Sequence, residues 1–284
     1  MSRTQLIHQH PSIEMLRIGT LGLVVGMVGL GGTVDQAHAE PAVLGDTEGW
    51  RKEITAYLFA PVSTEGTSAV AGQSAEIDLS LSDALDVLDF TISGRFEAWL
   101  DDFGVIFEGS YLGISEDQTI TGPGPAAAPV SVSVDVEQSW FSLLGGYRLA
   151  TGSTDTGKRY SVDVAAGARY NYLKQEITIS GPPGSRRLGG SESWFEPAIS
   201  ARGALELGSD WTGVLGLEAS GFGVEGNDLT WSTTLAFDWA LNEQTAVKFG
   251  YRYFSIDYET TKSDGLFKYD VSQHGPFIGM SYRF

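Results

Sequence analysis

Leu229-Thr230-Trp231-Ser232-Thr233-Thr234-Leu235-Ala236-Phe237-Asp238-Trp239-Ala240-Leu241 is the stretch on which the fold turns. Its odd positions carry Leu, Trp, Thr, Leu, Phe, Trp and Leu, while Thr230, Ser232, Thr234 and Asp238 fall between them. Successive side chains of a strand point to opposite faces, so this run offers one apolar face and one polar face. The same period of two recurs from Trp50 onward. Phe90, Ile92, Gly94, Phe96, Ala98 and Leu100 oppose Asp89, Thr91, Ser93, Arg95, Glu97 and Trp99. Tyr160, Val162, Val164, Ala166, Ala168, Tyr170 and Tyr172 oppose a face holding Asp163, Arg169 and Asn171. Val247, Phe249, Tyr251 and Tyr253 oppose Lys248 and Arg252. Each run is long enough to cross a bilayer as a tilted strand.

A soluble antiparallel sheet also alternates, with its apolar face inward. Two details favour a membrane barrel. The apolar faces carry aromatic rings near their ends, such as Tyr160 with Tyr170, Trp231 with Trp239, and Phe249 with Tyr253. Rings with an apolar body and a polar tip suit the membrane interface. The opposite faces hold charges of both signs at mid-strand, as the interior of such a barrel does.

The N-terminus points the same way. Residues 18–32 form an uncharged, largely apolar run, followed by Ala37-His38-Ala39, a small-x-small cleavage pattern. We read residues 1–39 as a cleaved signal peptide, 40–49 as a short periplasmic segment and 50–284 as the barrel. Met15-Leu16-Arg17 offers an alternative start, and a retained membrane anchor is the other reading of the run. The expected address is the cell outer membrane of a Gram-negative organism.

Composition excludes much chemistry. The 284 residues carry 18 Lys+Arg against 36 Asp+Glu, a net charge of −18, so a nucleic-acid partner is not expected. Cysteine is absent, which removes disulfides, thiolate catalysis and Cys-ligated zinc. His274 is the one histidine beyond the signal peptide. No cofactor and no metal site are expected.

The alternating runs suggest an up-and-down antiparallel barrel of about ten strands, with eight or twelve as alternatives. Its strands fall near 50–60, 89–100, 104–115, 131–149, 159–178, 192–207, 212–224, 228–241, 245–258 and 267–284. Joins at 101–103, 208–211 and 242–244 are tight. Joins at 61–88, 116–130 and 179–191 are long and rich in Gly, Pro, Ser and Ala. Short periplasmic turns and long extracellular loops produce that asymmetry. Glu225–Asn227 breaks it, being short on the long side. Glu76–Leu81 alternates weakly, and Ser82–Leu88 reads as one or two helical turns with Ser82 as N-cap, a candidate lid in the first extracellular loop.

The chain ends Gly279-Met280-Ser281-Tyr282-Arg283-Phe284. Gly279, Tyr282 and the terminal Phe284 resemble the C-terminal strand signal read by the outer-membrane assembly machinery, although Phe277 stands where that signal usually has a polar residue. Residues 50–284 resemble a group of little-characterised proteobacterial outer-membrane barrels, in the style of the OmpA and OmpW small barrels. The residues that carry this are Tyr57-Leu58-Phe59-Ala60-Pro61, Gly167-Ala168-Arg169-Tyr170, Trp194-Phe195-Glu196-Pro197, Gly221-Phe222-Gly223 and Gly250-Tyr251-Arg252-Tyr253. Glu196 and Glu218 stand where the group is expected to have Asp. The resemblance implies a fold and a location and brings no activity. The partners it implies are outer-membrane lipid, lipopolysaccharide and the assembly machinery, with the chain a monomer.

Strand parity sends Arg95, Glu97, Glu108, Asp163, Arg169, Glu196, Arg202, Glu218, Asp238, Lys248 and Arg252 into the lumen. Partly hydrated, they would line a narrow or gated pore that favours cations. Fully paired, they would fill the core of a non-conducting structural or adhesive barrel. Strand number does not separate the two, and the pore, for small solutes, is the expected reading with the closed barrel as its alternative. A lipid-modifying enzyme is the distant alternative: Ser272 and His274 share the lipid-facing side, but no orienting acid is evident and no catalysis is expected. Arg186-Arg187, with Lys174, could meet lipopolysaccharide phosphates or be solvated loop charges.

Overall fold

In a computed structural model, the structure describes Leu44 and residues 49–121, 129–182 and 184–284. The signal peptide read at 1–39 and most of the 40–49 segment lie outside these residues. The elements, in order, are β1 (Trp50–Phe59), β2 (Ser63–Val70), β3 (Gln73–Ser80), α1 (Leu81–Val87), β4 (Leu88–Leu100), β5 (Phe103–Thr121), β6 (Pro129–Ser153), β7 (Arg159–Gly181), β8 (Gly184–Glu206), β9 (Trp211–Val224), β10 (Asn227–Ala240), β11 (Thr245–Lys262) and β12 (Gly265–Arg283).

Ten of these strands close a ring. β4 to β12 pair as antiparallel neighbours in sequence order, and β1 pairs with both β4 and β12. Closure runs from Glu53 opposite Arg283 to Phe59 opposite Phe277. Closing a sheet in this way removes the free edges that would otherwise carry unpaired backbone groups through lipid. The other two strands belong to the first long connection. Past Pro61 the chain stays beside β12, where β2 pairs from Ser63 opposite His274 to Ala69 opposite Lys268. β3 then pairs back onto β2.

Outward positions form an apolar band. Near the tight turns it shows Trp50, Phe103, Tyr147, Trp211, Trp239, Tyr282 and Phe284; farther up it shows Phe90, Tyr111, Phe195, Phe222, Trp231 and Tyr251. Large side chains exposed all round one belt match lipid rather than water.

Several expected loops are strands. The connections read at 116–130 and 179–191 shrink because β5 reaches Thr121, β6 begins at Pro129, β7 reaches Gly181 and β8 begins at Gly184. Glu116–Thr121 and Gly184–Ser191 are largely polar or Gly-rich and look like loop until they find partners across the sheet. Likewise 61–88 is a hairpin plus a helix. Its N-cap is Ser80 rather than Ser82: the Ser80 hydroxyl accepts from the Asp83 amide, and the Asp83 carboxylate accepts from the Ser80 amide. The Ser80 hydroxyl also donates to the Asp83 carboxylate, and this bond together with the Ser80 amide holds the exposed carboxyl below its ordinary range. α1 packs against β3 and β5 and so belongs to the wall; it is not a lid across the lumen.

Strand length shapes the end away from the tight turns, here termed the crown. β9 and β10 are 14 residues each and stop at the Glu225-Gly226 turn, whereas β6, β7 and β8 run 25, 23 and 23 residues. The short hairpin that seemed to break the loop pattern lets β8 reach β11 above it. Gly226 has φ +88° and accepts from the Glu259 amide; a Cβ there would lie 2.4 Å from the Glu259 carbonyl oxygen. Glu225 accepts from the Phe195 amide. Over the turn, Trp194 stacks on Tyr258 with ring centroids 3.9 Å apart.

Candidate functional site

All eleven lumen candidates point inward, on β4 (Arg95, Glu97), β5 (Glu108), β7 (Asp163, Arg169), β8 (Glu196, Arg202), β9 (Glu218), β10 (Asp238) and β11 (Lys248, Arg252). Eight of them meet in one connected network, with Asp238 and Lys248 paired beside it and Glu196 held by other partners. Arg148 donates to Asp163 at 2.8 Å, and Asp163 also accepts from Arg202 at 2.9 Å. Arg202 reaches across the lumen to Glu97 at 2.6 Å, where Arg95 binds the same oxygen at 2.6 Å. Arg95 continues to Glu108 at 2.5 Å, and Glu108 accepts from the Tyr57 hydroxyl at 2.7 Å. Arg252 donates to that hydroxyl at 3.3 Å and lies 4.0 Å from Glu218, which pairs with Arg169.

Two flanks complete it. Lys248 bridges Asp238 at 2.7 Å and Glu53 at 2.9 Å, and Glu53 takes Arg283 at 3.1 Å. Arg169 donates to the hydroxyls of Ser142 and Ser220 and lies over the Trp140 ring, 4.4 Å from its centroid. Glu196 accepts from the Trp194 indole and the Asn227 amide.

Four members escaped the sequence argument: Glu53, Tyr57, Arg148 and Arg283. Their signal was parity. Glu53 and Tyr57 alternate with Ile54 and Leu58, Arg148 alternates with Tyr147 and Leu149, and Arg283 lies between Tyr282 and Phe284. With them the charged layer holds seven cations (Arg95, Arg148, Arg169, Arg202, Lys248, Arg252, Arg283) and seven anions (Glu53, Glu97, Glu108, Asp163, Glu196, Glu218, Asp238), and Arg51 shares the Glu53 face of β1 as a further cation near Asp163. The acidity of the chain is therefore not an acidity of its lumen.

Two cavities open among these side chains. One cavity of about 170 Å³ is lined by Tyr57, Arg95, Glu108, Glu218, Lys248 and Phe277, among others. A second of about 60 Å³ lies against Phe59, Thr91, Trp140, Phe254 and Gln273, and Arg252 lines both. Polar walls of this kind hold water clusters.

Apolar layers flank the charges. In the crown, Leu173, Trp194, Phe254, Ile256, Tyr258, Phe267, Tyr269 and Val271 form one buried cluster, against which Ile77 of β3 packs. These residues come from β7–β8 on one wall and β11–β12 on the other, so the two walls pack face to face. Lys262 ties them again, to Glu192 at 2.5 Å. Toward the turns, Trp99, Ile106, Leu144, Ala165 and Ala198 form a second cluster, with Arg148 and Arg202 lying 5.3 and 5.8 Å from the Trp99 ring. At the mouth, Leu44 is buried against Ala204 and Val214. Moving an ion through dry apolar layers costs several kcal/mol by its desolvation.

The remaining candidates do not assemble. Ser272 and His274 face outward, but Ser272 donates to the Glu65 carbonyl and His274 Nδ1 shares a 2.6 Å hydrogen bond with the Tyr251 hydroxyl. Lys174 is bound to Glu137, and the largely exposed Arg187 to Glu176. The C-terminal pattern has a local reason. Gly279 lies against Tyr57, where a Cβ would meet the Ala56 carbonyl oxygen at 2.6 Å. Phe277 points inward and meets the Tyr57 ring edge-on, while Tyr282 and Phe284 face outward. Among the described residues, no group of three or more His, Asp or Glu is placed to hold a metal.

No family model and no curated protein matches the chain. Solved structures do. The translocator domain of autotransporter NalP from Neisseria meningitidis aligns at 15% identity over 86% of this chain and 91% of that one, with TM-score 0.44. The outer membrane protease OmpT from Escherichia coli aligns at 10% identity over 83% and 96%, with TM-score 0.43. Ail, the attachment invasion locus protein of Yersinia pestis, aligns at 11% identity over 84% and 99%, with TM-score 0.33. These likenesses concern barrel architecture only, and none of the activities in those names passes to this chain.

Proposed function

We propose that the chain is an outer-membrane barrel that does not conduct, and that its work is done by the crown. The observation that carries this is the crown cluster around Trp194 and Tyr258: eight buried, mostly apolar side chains join the β7–β8 wall to the β11–β12 wall above the charged layer. The near balance of cations and anions below it supports a structural core over a cation-leaning pore. Trp50 and Phe284 both lie at the turn end, which supports placing that end in the periplasm and the crown outside the cell.

The test is planar-bilayer recording of the refolded protein under a KCl gradient, with heat-modifiable migration as the check that the barrel is folded. Silence of a folded barrel is the expected result. Discrete openings would overturn the reading and turn attention to Arg252, which lines both cavities and would have to move.

A further inference from the structure

The crown is closed on one side and open on the other. Above the β9–β10 turn the walls meet through Trp194 and Tyr258. On the opposite side β4 begins only at Leu88, opposite Ile114, so the upper part of β5, Ser115–Thr121, pairs with β6 alone. Across the same gap β3 is the last strand of its sheet and, among the described residues, pairs only with β2. Two strand edges therefore border one seam, and α1 touches both.

An exposed edge is a template for another chain, and proteins usually blunt it with lysine or proline. Gln73–Ser80 contains neither. What it carries is acid: Glu76 and Asp78 lie on its outward face beside Glu65 of β2. Asp83 and Asp86 of α1, Asp89 of β4, and Glu116 and Asp117 of β5 complete the rim. From Pro61 to Gly94 there is no Lys, Arg or His, and from Phe96 to Tyr147 there is none either. Like charges placed opposite one another across strands repel, so this edge discourages a second copy of itself. A strand with basic side chains at alternate positions meets both features: its backbone completes the ladder while its cations face Glu76 and Asp78.

We propose that the β3 edge is a docking site for an extended, basic segment of a partner polypeptide, bound by strand addition. This rests on the crown being the working part of the molecule, but it does not depend on the lumen being closed.

The experiment uses the full mature chain refolded in detergent micelles and three labelled octapeptides. One alternates Lys with Val, one has the same sequence with N-methyl groups on alternate backbone nitrogens, and one alternates Glu with Val. Fluorescence anisotropy at physiological salt reads binding, and amide exchange reads where. The Lys-Val peptide is expected to bind and to slow exchange within 73–80. N-methylation, which spares charge and removes backbone donors, is expected to weaken binding by about tenfold or more, about 1.4 kcal/mol. Glu76→Lys/Asp78→Lys, on exposed side chains, should do the same while leaving heat-modifiable migration unchanged. Equal binding of the N-methylated peptide would reduce the seam to a diffuse acidic field and overturn strand addition. So would equal binding of the Glu-Val peptide, no binding of the Lys-Val peptide, or protection elsewhere than 73–80. A conducting barrel that still binds the peptide would refute the closed lumen and leave this site standing.

Discussion

Asp163→Asn is the sharpest probe of the charged core. The Asp163 carboxylate holds Arg148 at 2.8 Å and Arg202 at 2.9 Å, and the Arg148 and Asp163 side chains are only 2% and 4% exposed. After the substitution Arg202 still has Glu97 at 2.6 Å. Arg148 is left with the face of Trp99, 5.3 Å from the ring centroid. Removing one partner of a buried pair costs about 3–5 kcal/mol, because the other charge stays desolvated and uncompensated. The ring contact offsets roughly 1 kcal/mol of that. With a urea dependence of about 2 kcal/mol per molar, the unfolding midpoint should fall by about 1–2 M. Tryptophan fluorescence of the refolded barrel during urea unfolding measures this. The double variant Arg148→Met/Asp163→Asn removes the stranded cation at similar side-chain length and should recover more than half of the loss. If the single variant unfolds with the wild type, or the double is no better than the single, the pair is solvated and the dry, paired core is wrong.

Burial pushes the phenols of Tyr258 and Tyr269 in the crown up to about 12, with the Glu192 and Glu225 carboxylates adding to the effect at Tyr258. The folded state then keeps protons that the unfolded chain loses near pH 10, so their contribution is intact below about pH 10 and is lost as pH rises through about 12. Phenolate absorbance during alkaline titration should show these two tyrosines ionising late and together with loss of the crown; ionisation near pH 10 would refute their burial. Gly226→Ala forces a side chain into positive φ and toward the Glu259 carbonyl. We expect a loss of about 1–3 kcal/mol and faster amide exchange at Glu259, and unchanged exchange there would mean that the turn does not anchor β11.

Strand identity and facing were legible in the sequence because both are local. Parity along Leu229–Leu241 separates Trp231, Phe237 and Trp239 from Ser232 and Asp238, whatever the neighbours are. The same rule turned the eleven charged side chains inward, and the tight turns fixed antiparallel neighbours. Local pattern failed where partners supply the order. Glu116–Thr121, Ile179–Gly181 and Gly184–Gly190 hold their strands only because long ladders run across β5, β6, β7 and β8. Gln73–Ser80 is a strand because β2 stays beside β12 past Pro61.

By itself, then, the sequence determined a chain of alternating strands with an apolar outside, a charged inside and a strongly acidic balance. Only the tertiary structure decided what those charges do. Glu97 with Arg202 and Tyr57 with Arg252 join residues 105 and 195 positions apart. Such contacts follow from ring closure and from the height at which each strand crosses the lumen, quantities that no run of neighbouring residues encodes. The crown follows from the same cause: a 14-residue hairpin between longer strands brings Trp194 to Tyr258, and the missing length above β4 leaves the β3 edge bare.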